Sequence, residues 1–224
     1  MRRLLADYGL FLKEFRRTFH TTGALLPSSP LLARSLARHV GAGDGRSSED
    51  LPSESTGQRI LEVGPGTGAV TRSIVKRMGP LDTLDLVEFN ERFVERLQRA
   101  FASDPLLKPV AARTTIVHQM IQEVEHAHQY DVIVSGLPLN NFAVADVESI
   151  LEKFRLLAKP SGTLSFFEYI AVRPLRGAVS GRDERQRLRG VGRALGDLFR
   201  QHATRRQSIW INVPPAWVHH VRFS

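Results

Sequence analysis

Apolar positions near the N-terminus follow helical spacing, whereas small and polar residues dominate the stretch that comes next. Within residues 4–20 the apolar side chains recur three and four positions apart, which predicts an amphipathic helix with Lys and Arg off its apolar face. Ser29 followed by Pro30 is a favourable N-cap and first-turn pair, so a second helix is predicted over residues 31–40. Residues 41–57 are rich in Gly, Ser, Asp and Glu and predict a flexible linker.

Beyond the linker, short apolar runs alternate with longer segments of helical periodicity. The apolar runs predict five strands, over residues 60–63, 84–88, 114–118, 130–135 and 162–169. Helices are predicted from Gly68 to about Met78 and over residues 91–102, 144–158 and 183–202. Two final apolar segments, 208–213 and 217–223, resemble a hairpin joined by Pro214 and Pro215. This alternation predicts an α/β fold with a doubly wound, mostly parallel sheet and one antiparallel strand near the end of the chain.

A glycine-rich run is the strongest chemical signal in the sequence. Residues 61–68 read LEVGPGTG and join the first predicted strand to the first helix of the alternating region. Glycines at such a turn let the backbone approach a ligand closely, at the sheet edge where open α/β proteins bind ligands. No Lys follows the run, so it is not a P-loop. Glu88 ends the second strand, where its carboxylate can accept hydrogen bonds from both ribose hydroxyls of an adenosine group.

These residues resemble the class I S-adenosylmethionine (SAM) methyltransferase family, whose first motif is E/D-x-G-x-G-x-G. Four residues match that motif and Glu88 matches the acid of the second strand; the four are Glu62, Gly64, Gly66 and Gly68. The resemblance covers about residues 58–223. It implies a Rossmann-like sheet of seven strands with the last one reversed, and SAM as the methyl donor, giving S-adenosylhomocysteine (SAH).

The resemblance also implies a set of cofactor contacts. The loop Gly64–Gly68, with Pro65 and Thr67, would lie beside the amino acid portion of SAM, and so would Glu62. Glu88 would bind the ribose, and Phe89 next to it is included in the cofactor site. The family's usual acid after the third strand is absent. In its place Gln119 could hydrogen-bond the adenine and Met120 could pack on it, the alternative being ordinary packing at the end of a strand.

The loop after the fourth strand, Ser135-Gly136-Leu137-Pro138-Leu139, is expected to meet the methyl acceptor. DNA and rRNA adenine methyltransferases carry N-P/L-P-Y/F there, and the aromatic residue stacks on a flipped base. This chain has Gly136 for the Asn and Leu139 for the aromatic residue. The loop instead resembles that of bacterial phospholipid N-methyltransferases related to the rRNA dimethylases, whose motif is S-G-L-P-L. Those enzymes convert phosphatidylethanolamine stepwise to phosphatidylcholine.

That resemblance extends to residues 24–34 and to Phe167-Glu168-Tyr169, and it implies candidate acceptor contacts. Carbonyl groups of Ser135, Gly136 and Leu137 could hold the amine, and Ser135 would also border the cofactor. Tyr8 and Tyr169 could form aromatic walls around a cationic head group by cation–π attraction. Glu168 could accept the amine proton or balance charge. The alternatives are that Tyr8 belongs to a core stripe and that Glu168 is a structural hydrogen-bond acceptor.

Charge is concentrated at the two flanks of the catalytic region. The chain carries +8 in total, with +5 in residues 1–40 and +7 in residues 173–206, so the remainder is net negative. An anionic partner is therefore expected, either nucleic acid or a lipid surface. The N-terminal helix suits an anionic bilayer interface, although a helix packed on the domain would show the same stripe. The Arg-rich segment 185–206 could bind lipid phosphate or form a solvated helix face.

Composition excludes several classes of protein. With no Cys, the chain has no disulfides, thiolate zinc sites or cysteine nucleophiles, and no cluster of possible ligands supports a metal site. No apolar run is long enough to predict a membrane-spanning helix, and charged residues interrupt any signal-peptide pattern near the N-terminus.

The sequence thus predicts two domains, an N-terminal helical membrane-binding or lid segment over residues 1–57 and a SAM-dependent methyltransferase domain over residues 58–224. The favoured function is phospholipid N-methylation by a monomer, cytoplasmic and peripherally associated with the inner face of the membrane, with no nucleic acid partner. The alternatives are an rRNA adenine N6-dimethyltransferase-like enzyme, a small-molecule methyltransferase, and a SAM-binding or lipid-binding module without catalysis.

Overall fold

Seven strands form one sheet in the computed structural model, which describes residues 29–41, 57–125, 127–170, 181–212 and 214–224. The strands are β1 Arg59–Val63, β2 Thr83–Glu88, β3 Thr114–His118, β4 Tyr130–Ser135, β5 Ala158–Tyr169, β6 Ala203–Ile209 and β7 Ala216–Arg222. Their order across the sheet is β3-β2-β1-β4-β5-β7-β6. The first five strands pair in parallel, whereas β7 runs antiparallel to both of its neighbours. The doubly wound, mostly parallel sheet predicted from the sequence is confirmed.

Helices cover both faces of this sheet. The five α-helices of the described residues are α1 Pro30–Leu36, α2 Ala69–Val75, α3 Glu91–Ser103, α4 Val144–Leu157 and α5 Arg182–Gln201. Short 3₁₀ helices occur at Lys108–Arg113, Ile121–Glu123 and Leu139–Asn141. One buried cluster joins α4 and α5 to the sheet, and a second joins α1, α2 and α3 to the opposite face. The central strands β1 and β4 are apolar on both sides because helices cover both faces of the sheet there.

The first described helix is fixed at its start by the predicted cap. The Ser29 hydroxyl accepts a hydrogen bond from the Leu32 amide at 3.2 Å, and Pro30 occupies the first turn. Helix α1 ends at Leu36, earlier than predicted, and the chain continues in a turn. Leu32 and Leu36 are fully buried in the second cluster, so α1 packs on the sheet domain.

The predicted position of the first strand of the terminal hairpin was wrong. Residues 208–213 were expected to be extended, but β6 occupies Ala203–Ile209 and pairs with β7 from Ala203 opposite Arg222 to Ile209 opposite Ala216. Strand β6 lies at the edge of the sheet and exposes most of its side chains. It therefore lacks the alternating apolar pattern by which a half-buried strand is recognised. The predicted helix over residues 4–20 and nearly all of the predicted linker lie outside the described residues.

Candidate active site

The carboxyl ends of the parallel strands bring the predicted cofactor and acceptor loops to one edge of the sheet. Strand β1 ends at Val63, β2 at Glu88 and β4 at Ser135, and these three strands are neighbours. The Gly64 amide donates to the Val87 carbonyl at 2.9 Å, and the Gly136 amide donates to the Val63 carbonyl at 2.8 Å. Both loops are thus continuous with the sheet, as expected for a ligand site of an open α/β fold.

The glycine loop has a backbone that other residues adopt rarely. Gly64, Gly66 and Gly68 have φ angles of +69°, +54° and +82°. A Cβ atom at Gly64 would also lie only 2.8 Å from Cδ2 of Leu137, so this position is closed to larger residues by both strain and contact. Within the loop Pro65 is buried and Thr67 is exposed.

Glu88 ties the glycine loop to the end of β2. Its Oε2 accepts a hydrogen bond from the Gly66 amide at 3.0 Å, and its Oε1 accepts one from the Asn90 amide at 2.8 Å. Burial raises the pKa of Glu88, although these backbone donors favour the ionised form. The Oδ1 atom of Asn90 is itself buried and accepts no hydrogen bond from the described residues. Sequence reasoning missed Asn90, because nothing in its pattern distinguishes it from an ordinary residue before a helix.

Glu62 is the most unusual carboxyl group at this edge. It is fully buried, and neither of its oxygens has a hydrogen-bond partner of normal geometry among the described residues; the same holds for the nearby Thr71 hydroxyl. Burial raises the pKa of Glu62 to about 8, and the neighbouring Glu88 raises it further, while Thr71 lowers it. An unpaired buried carboxylate is costly, so this position fits a cationic ligand group such as the amino group of SAM.

The segment after β3 lies next to the end of β2. His118 Nε2 is 2.9 Å from the Phe89 carbonyl oxygen. Met120 is 7% exposed and packs in the first core cluster, against which Phe89 also packs, whereas Gln119 is half-buried. The side-chain carbonyl of Gln122, which sequence reasoning did not single out, is buried and accepts no hydrogen bond from the described part of the chain.

The acceptor loop is packed tightly against the glycine loop. A Cβ atom at Gly136 would lie 2.5 Å from the Gly64 carbonyl oxygen, closer than any real contact of that kind. Leu137 is buried, and its amide donates to the Ser135 hydroxyl at 3.3 Å. Leu139 is fully buried in the core rather than directed towards a ligand.

Helix α5 holds the far side of the acceptor loop. Nη1 of Arg187 donates to the carbonyl oxygens of Asn140 at 3.0 Å and Phe142 at 2.6 Å. Glu184 pairs with the same guanidinium through both of its oxygens, each at 2.7 Å. Arg187, part of the Arg-rich segment considered for lipid binding, is therefore engaged in fixing the loop.

Glu168 and Tyr169 follow each other on β5, and their side chains lie on opposite faces of the sheet. Oε2 of the buried Glu168 is 2.9 Å from Nε2 of His219. The His219 ring stacks on Phe166, and Tyr169 contacts Phe167 on the other face. Burial raises the pKa of Tyr169. The structure therefore does not bring these two candidates together, and Tyr8 lies outside the described residues.

Comparison with known proteins agrees with this geometry. Residues 61–164 match a family model described as a methyltransferase domain. An ornithine lipid N-methyltransferase of Singulisphaera acidiphila is 27% identical over 161 residues, which cover 72% of this chain and 77% of that protein. A hybrid PKS-NRPS synthetase of Penicillium citrinum is 32% identical over 114 residues, but these span 49% of this chain and only 3% of the synthetase.

Solved structures show the same fold. The N-methyltransferase NodS from Bradyrhizobium japonicum superposes with a TM-score of 0.56 over 94% of this chain and 97% of its own, at 16% identity. The matched residues include the glycine loop, Glu88 and the acceptor loop, so the similarity to methyltransferases falls on the candidate site. The protein is a SAM-dependent methyltransferase, and its cofactor is SAM.

Proposed function

We propose that the protein transfers methyl groups from SAM to the amine of a phospholipid head group, converting phosphatidylethanolamine and its mono- and dimethyl forms towards phosphatidylcholine. The observation that carries the proposal is the closed acceptor loop. An Asn in place of Gly136 would collide with the Gly64 carbonyl, and Leu139 is buried where a base-stacking aromatic residue would be needed. The loop thus lacks both features used to hold a flipped adenine. The lipid-modifying relative supports a lipid amine as the acceptor.

The cofactor contacts follow from the buried polar groups at the sheet edge. SAM supplies an electrophilic methyl group on sulfur, which is transferred to the amine as the carbon–sulfur bond breaks and SAH forms. Glu62 would pair with the amino group of SAM, and Glu88 would receive the ribose hydroxyls while holding the glycine loop through Gly66. Gln119 and Met120 would border the adenine.

The acceptor amine has to lose a proton because only its neutral form attacks carbon. Oε2 of Glu168 lies 2.9 Å from Nε2 of His219, and both side chains are buried on the face of the sheet that carries Phe166. We assign the acceptance of the amine proton to the Glu168 carboxylate. Carbonyl groups of Ser135, Gly136 and Leu137 would orient the amine, with Tyr8 as an aromatic contact to the methylated head group.

The surface charge is consistent with an enzyme that works as a monomer on the cytoplasmic face of an anionic membrane, without nucleic acid. Basic residues outnumber acidic ones by 31 to 23 and concentrate at the two flanks of the sequence. Within the described residues, every helix is too short or too polar to cross a bilayer. Peripheral contact through basic and apolar side chains would bring the lipid amine to the site.

Labelled SAM tests the function directly. The protein is incubated with vesicles of phosphatidylethanolamine, with vesicles of ornithine lipid, and with rRNA, and each product is separated before counting. We expect label in mono-, di- and trimethylated phosphatidylethanolamine. The Glu88→Gln variant should weaken SAM binding and lower lipid methylation. Glu148→Gln, the same change on an exposed side chain of α4, serves as the matched control.

The outcomes separate the alternatives. Label confined to rRNA would replace the proposal with adenine methylation, despite the closed loop. Label confined to ornithine lipid would keep a lipid amine but move the substrate away from phosphatidylethanolamine. Label in none of the three, with normal SAM binding, would favour a small-molecule acceptor.

A further inference from the structure

The turn between β6 and β7 carries the two most exposed large apolar side chains of the described residues. Trp210 is 68% and Ile211 is 77% exposed. Leu31, at the start of α1, is 42% exposed and lines the same groove of about 660 Å³ between α1 and β6. We call Leu31, Trp210 and Ile211 the apolar tip. Neighbouring exposed apolar residues on a soluble surface mark an interaction site.

The apolar tip is held rigidly. Oδ1 of the buried Asn212 accepts a hydrogen bond from the Ser29 amide at 3.2 Å, which joins the turn to the first residue before α1. The side-chain amide of Asn212 donates to the Pro214 carbonyl at 2.7 Å. These bonds fix the turn from inside, so Trp210 and Ile211 project from an ordered base.

The apolar tip lies at the sheet edge that carries the cofactor and acceptor loops. Strand β7 runs antiparallel to β5, so the start of β7 is level with the end of β5, and Tyr169 pairs with Ala216. The Ile170 amide continues this contact by donating to the Pro215 carbonyl at 2.9 Å. A surface that meets the tip would therefore also face the loops of the active site.

Basic side chains line the groove behind the tip. Arg34 and Arg38 follow Leu31 at intervals of three and four residues, and both are exposed and outside any ion pair of the described residues. Arg34 lies about 4.5 Å from Leu31 along the axis of α1, and Arg38 lies in the turn that follows the helix. Among the residues that the structure describes, no Asp or Glu lines the groove. Arg77 adds a third guanidinium, which also donates to the Arg38 and Val40 carbonyls.

We propose that the apolar tip and the two arginines Arg34 and Arg38 form the docking surface for an anionic phospholipid bilayer. Interfacial segments bury their apolar face about 5–10 Å into the boundary between head groups and acyl chains. With the tip at that depth, Arg34, one helical turn from Leu31, lies nearest the level of the lipid phosphates, which guanidinium groups bind well, and Arg38 extends the basic surface behind it. Trp suits this position because its ring is apolar and its N–H is polar. The docking surface rests on the proposed function in one respect, namely that the methyl acceptor is a lipid.

Fluorescence of Trp210 tests the docking directly. The chain has two Trp, so Trp217→Phe leaves Trp210 as the only one. With vesicles of phosphatidylethanolamine and phosphatidylglycerol, we expect its emission to shift to shorter wavelength and to be quenched by brominated acyl chains. Neutral phosphatidylcholine vesicles should give a much weaker shift. High salt should reduce the shift, because surface charges are screened.

Substitutions test whether the apolar tip and the two arginines supply the energy of vesicle binding. Each basic residue near an anionic membrane contributes about 1 kcal/mol, or about fivefold in affinity, so Arg34→Glu with Arg38→Glu should weaken vesicle binding by 25-fold or more. Ile211→Asp should weaken it by at least tenfold. The matched controls are Arg92→Glu with Arg96→Glu on the exposed side of α3, and Leu81→Asp, which is 62% exposed at the opposite sheet edge. The controls should bind within about twofold of wild type.

Three results would overturn the docking surface. Without vesicles, shielding of Trp210 from acrylamide would show that residues 1–28 or another part of the chain cover the tip. A dimer that dissociates in Ile211→Asp would assign the tip to a second copy. Unchanged vesicle binding in both surface variants would place docking elsewhere.

Detergent-dispersed phosphatidylethanolamine separates this inference from the proposed function. If both are right, the surface variants methylate dispersed lipid at the wild-type rate and lose activity only on vesicles. If the wild-type protein binds vesicles but methylates phosphatidylethanolamine neither in vesicles nor in detergent, the proposed function is wrong and the proposed docking surface is retained. If Ile211→Asp matches wild type on vesicles, the surface fails and the function stands.

Discussion

Replacing the buried carboxyl of Glu62 by an amide should change how the stability of the protein depends on pH. Glu62 is fully buried, and its oxygens have no hydrogen-bond partner of normal geometry among the described residues. Burial raises its pKa in the folded protein to about 8, from an ordinary value of 4.5. The folded state therefore holds this proton more tightly than the unfolded chain does. The protonated Glu62 carboxyl makes its full contribution to the free energy of unfolding below pH 4.5, and this contribution is lost as the pH rises towards 8.

The size of the effect follows from the shift. Each pKa unit corresponds to about 1.4 kcal/mol. Between pH 5 and pH 7.5 Glu62 ionises in the unfolded chain while the folded protein largely keeps the proton, so the free energy of unfolding of the wild type should fall by about 3 kcal/mol. Glu62→Gln has no such titration. The difference in unfolding free energy between variant and wild type should thus grow by about 3 kcal/mol over that interval, whatever its value at pH 5.

Urea unfolding at several pH values measures this difference, without SAM. Glu152→Gln is the matched control, because that carboxyl is about half exposed and pairs with Arg155 on α4. Surface pairs of this kind contribute about 0.5 kcal/mol, and Arg155 lowers rather than raises the pKa of Glu152. The control should therefore follow the wild-type curve closely.

Binding of SAM gives a second readout of the same carboxyl. A cationic group beside Glu62 stabilises its ionised form, so binding at pH 7 should release close to one proton from the wild type and none from Glu62→Gln. Calorimetry in buffers of different ionisation enthalpy measures this release. Parallel stability curves for the two proteins, with equal proton release, would refute the account of Glu62.

Two further predictions follow from a close backbone contact at Gly136 and from the burial of His220. Gly136→Ala should destabilise the protein by about 1–3 kcal/mol and weaken SAM binding in calorimetry, because the new Cβ would meet the Gly64 carbonyl at 2.5 Å. Gly79→Ala, whose Cβ would meet its nearest atom at an ordinary 3.6 Å, is the neutral control. Burial lowers the pKa of His220 to about 4 from 6.5, so stability present above pH 6.5 is lost as the pH falls to 4, by up to about 3 kcal/mol. His220→Gln should unfold at lower pH than wild type in an acid titration, and an unchanged midpoint would contradict this.

The sequence by itself determined the parallel part of the sheet. Strands β3 and β4 have the predicted bounds, β1 and β2 differ by one residue, and β5 begins four residues earlier than predicted. Apolar runs between turn signals identify the central strands because these are buried on both faces. The glycine loop and Glu88 also followed from local spacing. These features depend on neighbouring residues, whose identities the sequence states directly.

Only the tertiary structure decided what depends on distant residues. Gly136 is confined by the Gly64 carbonyl, 72 positions earlier in the chain, and Glu168 is paired with His219 on a strand formed much later. Sequence reasoning placed Glu168 and Tyr169 at one site, but adjacent strand residues project to opposite faces of a sheet. Strand β6 was misplaced because an exposed edge strand has no apolar pattern. In each case strand register and packing across the sheet set the outcome, and a linear pattern does not contain them.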